Sequence, residues 1–418
     1  MKALIITVGG SDEPLVSFIK QHKEDTGLIY FICSSGSGAA SSSVTVDDKI
    51  SGKSELKCPQ CKTTVKKGFP TKESIIKQSG YEGEYKKIEI KKPDDFDEIY
   101  KKIYSVVAKA KQENYDEIIA DFTGGTKAMS SALAVIASGD FGVKLSLTVG
   151  PRTDLVKTSS GSHPAILDID RTRVDIVLKT VDMFISKKLY YSTRLILCDL
   201  LQKGLKQELI NEISEKCSCV EAFAYWDSFE YEKSYEILKN YGRKFENELA
   251  YLLKILSKGK CTGYEKIFDL VTNAERQSNI GYYDNATARI YRAIELFAQT
   301  RLRNHYEIDT AHLEKSEKIT QSKWEKYKNE KGEIKLGCIQ AYELLSDLPD
   351  KIGEVYKQQK KQLLNILKIR NNSKLAHGNI PVTESQWKEM HKIIKEFIDK
   401  SCESIGITPE YVQLPNEF

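Results

Sequence analysis

Up to about residue 170 the chain alternates short runs of β-forming residues with helical patterns, and no other feature narrows the fold as much. Residues 4–8, 27–33, 85–90, 117–121 and 143–149 read as strands, and residues 13–21, 72–78, 96–111 and 126–137 as helices. Such alternation predicts a mostly parallel sheet covered on both faces, a Rossmann-like α/β domain over residues 1–170. In an open sheet of this kind a ligand binds beyond the carboxyl ends of the strands.

Those ends carry glycines and hydroxyls. Thr7, Val8, Gly9, Gly10 and Ser11 follow the first strand, and Cys33, Ser34 and Ser35 follow the second. Asp121-Phe122 and then Thr123, Gly124, Gly125, Thr126 and Lys127 follow the fourth. Glycine lets backbone approach a ligand closely, and a helix starting near Thr126 offers open amides to phosphate or ribose, with Lys127 adding a cation. Neither glycine loop matches the full dinucleotide fingerprint, and Gly124-Gly125-Thr126-Lys127 lacks the first glycine of a Walker loop. A nucleotide-like ligand is favoured, but NAD and ATP hydrolysis are not.

A Ser-rich insertion, residues 36–70, interrupts the alternation and contains Cys58-Pro-Gln-Cys61. This is half of a tetrahedral zinc site, and no second pair follows at suitable spacing, so a surface insertion with thiols and no metal is the expectation. Nine scattered cysteines read as reduced thiols in a cytoplasm. No run approaches the ~18 apolar residues of a membrane span. At 418 residues two or three domains are expected, and a net charge of +4 requires any RNA site to be local.

From about residue 171 strand signals fade and Lys/Glu-rich amphipathic helices take over. Three segments, starting at Lys188, Phe229 and Gly281, each place aromatics before a helix start, as in tetratricopeptide-like hairpins. Residues 171–275 therefore read as an all-α helical linker, and residues 276–418 as a further all-α domain. Within the latter, Arg289, Arg292 and Glu295 stand at three-residue steps, the spacing of an intrahelical ion-pair network; either arginine is also a candidate supporting cation for the motif below. A Lys-rich polar loop covers residues 314–335.

That motif is Arg370-Asn371-Asn372-Ser373-Lys374-Leu375-Ala376-His377, at the end of an amphipathic stretch from residue 355. If the helix continues to Gly378, Arg370 and His377 project from one face about two turns apart. Arginine matches the geometry of a phosphodiester and histidine titrates near neutral pH, so the pair has the chemistry for metal-free RNA cleavage through a 2′-hydroxyl. Asn and Ser are mediocre helix formers, and their run inside a well-patterned helix points to some purpose other than packing.

The pairing of the glycine loops around Thr7–Ser11 and Thr123–Lys127 with Arg370-Asn371 and His377, in this domain order, resembles the ancillary ribonucleases of type III CRISPR systems. These join a CARF domain to a HEPN domain. The resemblance implies a cytoplasmic homodimer in which paired CARF domains bind a cyclic oligoadenylate, tetra-adenylate ahead of hexa-adenylate, and switch on metal-independent cleavage of single-stranded RNA. It implies that Arg370, Asn371 and His377 form the ribonuclease motif and leave 2′,3′-cyclic phosphates, with no cofactor required. Slow cleavage of the activator by hydroxyls of Thr7, Ser11 or Thr123 is a further implication. The competing reading is a non-catalytic nucleotide-sensing regulator whose helical C-terminus recruits a partner.

Overall fold

The computed structural model describes residues 1–36, 41–52, 54–57, 59–66, 68, 70–150, 162–312, 320, 325–328, 336–376 and 378–418. Two compact units divide the chain, Met1–Lys179 and Thr180–Phe418.

In the first unit the strands are β1 (Lys2–Thr7), β2 (Thr26–Ser34), β3 (Leu56–Lys57), β4 (Thr64–Lys66), β5 (Glu84–Ile90), β6 (Glu117–Asp121), β7 (Val143–Val149) and β8 (His163–Ile166). Six of them form one sheet in the order β5-β2-β1-β6-β7-β8, parallel except for β8. The helices are α1 (Glu13–His22), α2 (Val44–Asp47), α3 (Ile75–Ser79), α4 (Phe96–Gln112) and α5 (Lys127–Ser138), with α6 (Asp170–Ser186) running across the division.

Both faces of β1 and β2 are buried, which is why these strands are apolar without alternation. Ala3, Ile5, Tyr30 and Ile32 pack with Ile99, Ile103 and Val107 of α4 and Met129 and Leu133 of α5. Leu4, Ile6, Ile29 and Phe31 pack with Leu15, Phe18 and Ile19 of α1 and Ile75 of α3. The α/β expectation therefore holds.

Three local departures have clear causes. The expected helix over 72–78 starts only after Ser74, whose hydroxyl accepts the Lys77 N–H, because Lys72 is taken by a bridge to Ile50. Strand β8 gives no apolar alternation to read, and its Pro164 is tolerated because β8 is an edge strand. The insertion is partly ordered: Val46 of α2 is buried, and β3 and β4 form a small antiparallel hairpin. Cys61 is exposed and Cys58 lies outside the described residues.

The second unit is helical throughout its described residues: α7 (Tyr190–Leu201), α8 (Gln207–Asp227), α9 (Tyr231–Leu238), α10 (Glu246–Ile255), α11 (Glu265–Asn279), α12 (Tyr283–Tyr306), α13 (Cys338–Asp347), α14 (Lys351–Asn371) and α15 (Glu384–Ser404). The three aromatic-led segments do mark helix starts, and they share one turn. Lys188, Phe229 and Gly281 each adopt positive φ, and each is followed two residues later by the tyrosine that opens the next helix. In each turn the following N–H bonds to a carbonyl five residues back, Leu189 to Phe184, Glu230 to Tyr225 and Tyr282 to Gln277, which closes the preceding helix. No helix among the described residues is long and apolar enough to cross a membrane.

A buried polar network joins α8, α9, α11 and α12. Asp269, wholly buried, accepts from Trp226 Nε1 at 3.0 Å and Tyr231 OH at 2.9 Å, and lies 3.6 Å from Arg276. Arg276 also donates to Asp227 at 2.7 Å, and Asn273 donates to Asp227 while accepting from Arg289. Burial pushes the Asp269 carboxyl above its ordinary range, against the opposing pull of Arg276. Removing one member of a buried pair strands the other, so Asp269→Ala is expected to destabilise this unit by about 3–5 kcal/mol. Urea unfolding followed by tryptophan fluorescence measures it; a loss below about 1 kcal/mol would show that the network is dispensable.

Candidate functional site

In the first unit the glycine loops after β1 and β6 meet backbone to backbone. A Cβ on Gly124 would lie 2.3 Å from the Thr7 carbonyl oxygen, and one on Gly9 would lie 2.6 Å from the Gly125 nitrogen. Only glycine allows that approach. Thr7, buried at the end of β1, donates its hydroxyl to the Gly124 carbonyl at 2.7 Å, and Ser130 donates to the same oxygen at 2.6 Å. Val8 is buried and pairs its N–H with Ile32, whereas Gly10 and Ser11 are exposed.

Thr126 caps α5 by accepting the Met129 N–H, and its hydroxyl donates to the Pro93 carbonyl at 2.8 Å. Lys127, the first residue of α5, is exposed and has no ion-pair partner among the described residues. The helix therefore presents its positive end and one uncommitted ammonium to solvent. Thr123 Oγ1 accepts the Thr148 N–H at 2.8 Å.

The loop after β2 is differently employed. The Cys33 side chain lies in the core, where burial pushes its thiol up to about 12, so it offers a ligand no side-chain contact. The Ser34 N–H and hydroxyl are bonded to the Ser42 side chain, and the Ser35 N–H and hydroxyl both donate to the Ile90 carbonyl. Ser34 fastens the insertion to the sheet, and Ser35 ties the end of β2 to the end of β5.

Asp121, at the end of β6, is a participant that the turn chemistry alone did not single out. It is wholly buried; one carboxylate oxygen accepts the Thr123 N–H at 3.1 Å, and the other, Oδ2, has no hydrogen-bond partner. An acidic residue closing an apolar strand was the available signal. Burial pushes its carboxyl up to about 6 despite the opposing bonds from Thr123. A folded-state value above the unfolded one means that stability from the protonated form is full below about pH 4 and is lost as pH rises through about 6. The shift of about two units corresponds to about 3 kcal/mol. Asp121→Asn keeps the acceptor for Thr123 and is expected to flatten the pH dependence of this unit's melting between pH 4 and 7; an unchanged profile in scanning calorimetry would refute the assignment.

In the second unit α14 carries the Arg370 motif, and here the structure corrects the sequence reading. The helix ends at Asn371 and does not continue toward Gly378 as the sequence suggested. Asn372 caps the end, Ser373 turns inward and is buried, and the N–H groups of Ala376 and Gly378 both donate to its carbonyl. A Cβ on Gly378 would lie 2.0 Å from the Asn372 carbonyl oxygen, so glycine closes this turn. The Asn and Ser residues that are poor helix formers are the ones that end the helix. His377 lies outside the described residues.

The Arg370 guanidinium rests on the Tyr291 ring, 4.1 Å from its centroid, and donates to Asn371 Oδ1 at 3.0 Å. It has no carboxylate partner among the described residues, so its charge is available to an anion. Arg292 stands one residue along α12 from Tyr291 and pairs with Glu295 at 2.6 Å, the intrahelical bond expected of it. Arg289 does not join that pair. It donates instead to Asn273 and to the Asn285 carbonyl, with burial as the main cause lowering its pKa. Burial raises the pKa of the Tyr291 phenol, against smaller downward pulls from Arg370 and Arg292. No cluster of three or more His, Cys, Asp or Glu side chains with metal-holding geometry occurs among the described residues.

No curated protein matches the chain. Residues 256–401 match the family model described as Csm6 HEPN domain. Among solved structures, Enterococcus italicus Csm6 bound to cyclic hexa-2′-fluoro-hexa-dAMP superposes with a TM-score of 0.57 at 13% identity, over 96% of this chain and 95% of that one. The helices that carry Arg289, Arg292 and Arg370 all fall inside the matched segment. Residues 256–401 thus match a Csm6 HEPN domain, and the chain shares the fold of that Csm6 along nearly its whole length.

Proposed function

We propose that this chain is a single-stranded RNA endoribonuclease of type III CRISPR defence, active as a homodimer, independent of metal and activated by a cyclic oligoadenylate. The observation that carries the reading is Arg370. A guanidinium on an aromatic face, braced by Asn371 and left without a carboxylate, suits one phosphodiester. His377, the next histidine along the motif, supplies proton transfer between the 2′-hydroxyl and the leaving 5′-oxygen. The 2′-oxygen attacks phosphorus, the bond to the 5′-oxygen breaks, and a 2′,3′-cyclic phosphate and a 5′-hydroxyl result. An isologous pair gives two histidines, one to take the proton and one to return it. Leu364, Leu375 and Ile380 are exposed around the motif and give such a pair an apolar surface.

In the same reading residues 1–170 sense the activator, residues 171–275 are the spacer and residues 276–418 cut. Gly9, Gly10, Gly124 and Gly125 supply backbone, and Lys127 with the start of α5 supplies positive charge, to a cyclic phosphate backbone. Of the hydroxyls considered for slow activator cleavage, Thr7 and Thr123 are engaged in the bonds above and Ser11 is exposed. The resemblance puts tetra-adenylate ahead of hexa-adenylate, while the structural neighbour holds a cyclic hexa-dAMP analogue. Activation is a population shift: the activator binds one arrangement of the sensing pair better, and its differential affinity sets the gain.

The test is cleavage of a fluorescent single-stranded RNA in EDTA with cyclic tetra- or hexa-adenylate. Cleavage is expected with one ring size, and His377→Ala is expected to lower it by about 10²–10⁴-fold. RNA left intact while a cyclic adenylate still binds would replace the ribonuclease reading with that of a non-catalytic sensor. Lys127→Ala, a change on an exposed helix start, is expected to weaken binding of the activator by about tenfold while leaving the fold intact. Isothermal titration measures it, and unaltered affinity would remove Lys127 from the site.

A further inference from the structure

A cleft of about 420 Å³ opens beside Arg370, between the starts of α13 and the last turns of α14. Tyr291, Cys338 and Leu364 give it apolar walls, and Gln340, Lys368 and Asn371 give it polar ones. Two of these residues also belong to the arginine's surroundings: Tyr291 lies under the guanidinium and Asn371 accepts its hydrogen bond. Whatever fills the cleft is therefore adjacent to the anion that Arg370 holds.

The polar walls share one chemical character. Gln340 accepts the Gly337 N–H through Oε1 at 2.9 Å, so the carboxamide atom left for a ligand is the Nε2 donor. Asn371 accepts from Arg370 through Oδ1, which leaves its Nδ2 donor. Because the partners are N–H groups in both cases, the amide orientations follow from the bonds themselves. Lys368 is a donor by nature and has no ion-pair partner among the described residues. The Cys338 thiol, pushed up to about 12 by burial, stays neutral. Three donors thus line a slot with aromatic and aliphatic walls.

Resting on the ribonuclease reading above, we propose that this cleft is a nucleobase subsite that selects guanine over adenine in the nucleotide next to the scissile phosphate. Guanine presents two adjacent acceptors, O6 and N7, on its open edge, whereas adenine presents the N6 amino group beside N7. Against Gln340 Nε2 and Lys368, the adenine amino group sets donor against donor and leaves a desolvated group unpaired. Single-stranded RNA delivers such an unstacked base without prior melting.

Gln340→Glu is the informative variant. It retains the acceptor that holds Gly337 at the start of α13 and replaces the ligand-facing donor with an acceptor. RNAs that differ only in a single guanosine or adenosine, in an otherwise uniform uridine strand, are offered to wild type and variant. Cleavage is read as kcat/KM, and binding is read by anisotropy on 2′-O-methyl versions that cannot be cut. Wild type is expected to favour guanosine by about tenfold in both readouts, and the variant to lose or reverse that preference. Equal treatment of the two bases by the wild type, or a preference untouched by Gln340→Glu, overturns the subsite. Guanosine-selective binding without any cleavage would sink the ribonuclease reading while leaving the subsite standing. A variant that dissociates the dimer in sedimentation while sparing base preference would assign the cleft to a second copy of the chain.

Discussion

Helix α14 is held at both ends, and the disposition of the candidate ribonuclease motif depends on those two anchors. At its start the buried Asp350 accepts the Ile352 N–H at 2.8 Å, Arg301 Nε at 2.7 Å and the Tyr306 hydroxyl at 3.0 Å, which ties the helix to the last turns of α12. At its far end, roughly 30 Å away at 1.5 Å per residue, the Asn372–Gly378 turn stops it and the Tyr291 ring of α12 supports Arg370. The same neighbouring helix thus braces α14 through an ionic contact at one end and an aromatic one at the other. Between them Tyr356, Leu363, Ile366 and Leu367 supply the apolar packing. Tyr342 stacks on Tyr356 with centroids 5.2 Å apart and donates its hydroxyl to the Ile294 carbonyl of α12 at 2.7 Å, so α13 is locked into the same assembly.

Arg289 has a different place in this arrangement. Its contacts run to Asn273 and through it to Asp227, Arg276 and Asp269, so α12 is gripped on its other side by the buried polar network of α8, α9 and α11. Residues 289 and 291 point to opposite sides of one helix. The network and the ring beneath Arg370 therefore share one helix, α12.

Much of the first unit was legible because its central strands are buried on both faces and read as continuous apolar runs. The strands Glu117–Asp121 and Val143–Val149 have the bounds that their β-branched runs suggested, and α1, α4 and α5 begin where Pro14, Asp95 and Thr126 announce them. Where tertiary contacts overrode local pattern, legibility ended. The Cys33 thiol turned into the core because its strand position faces α1, Ser34 was claimed by the insertion and Ser35 by the end of β5. Gly9 and Gly124 were recognisable as glycine turns, but that they touch each other is a property of the parallel register between β1 and β6. Tyr291, Gln340 and Arg370 lie far apart in the chain, and no periodicity links them. The motif's helical extension failed because the same Asn and Ser residues that signalled something unusual favour a capped end over another turn.

The competing description of Arg370 as a structural arginine makes a claim about its partners, and the arginines of this unit that carboxylates do hold supply the comparison. Arg276 meets Asp227, Arg301 meets Asp350, Arg194 meets Glu221 and Arg292 meets Glu295. Arg289, without a direct carboxylate, spends its donors on a side-chain amide and a backbone carbonyl. Arg370 has one amide oxygen and an aromatic face, with Lys368 and Lys374 near it in sequence at the same end of α14. A guanidinium carries five donors, and a structural role would have them satisfied within the fold. Cations in the last turn of a helix are favoured by its dipole, so the charge of Arg370 is held in place by the fold without a carboxylate among the described residues to neutralise it.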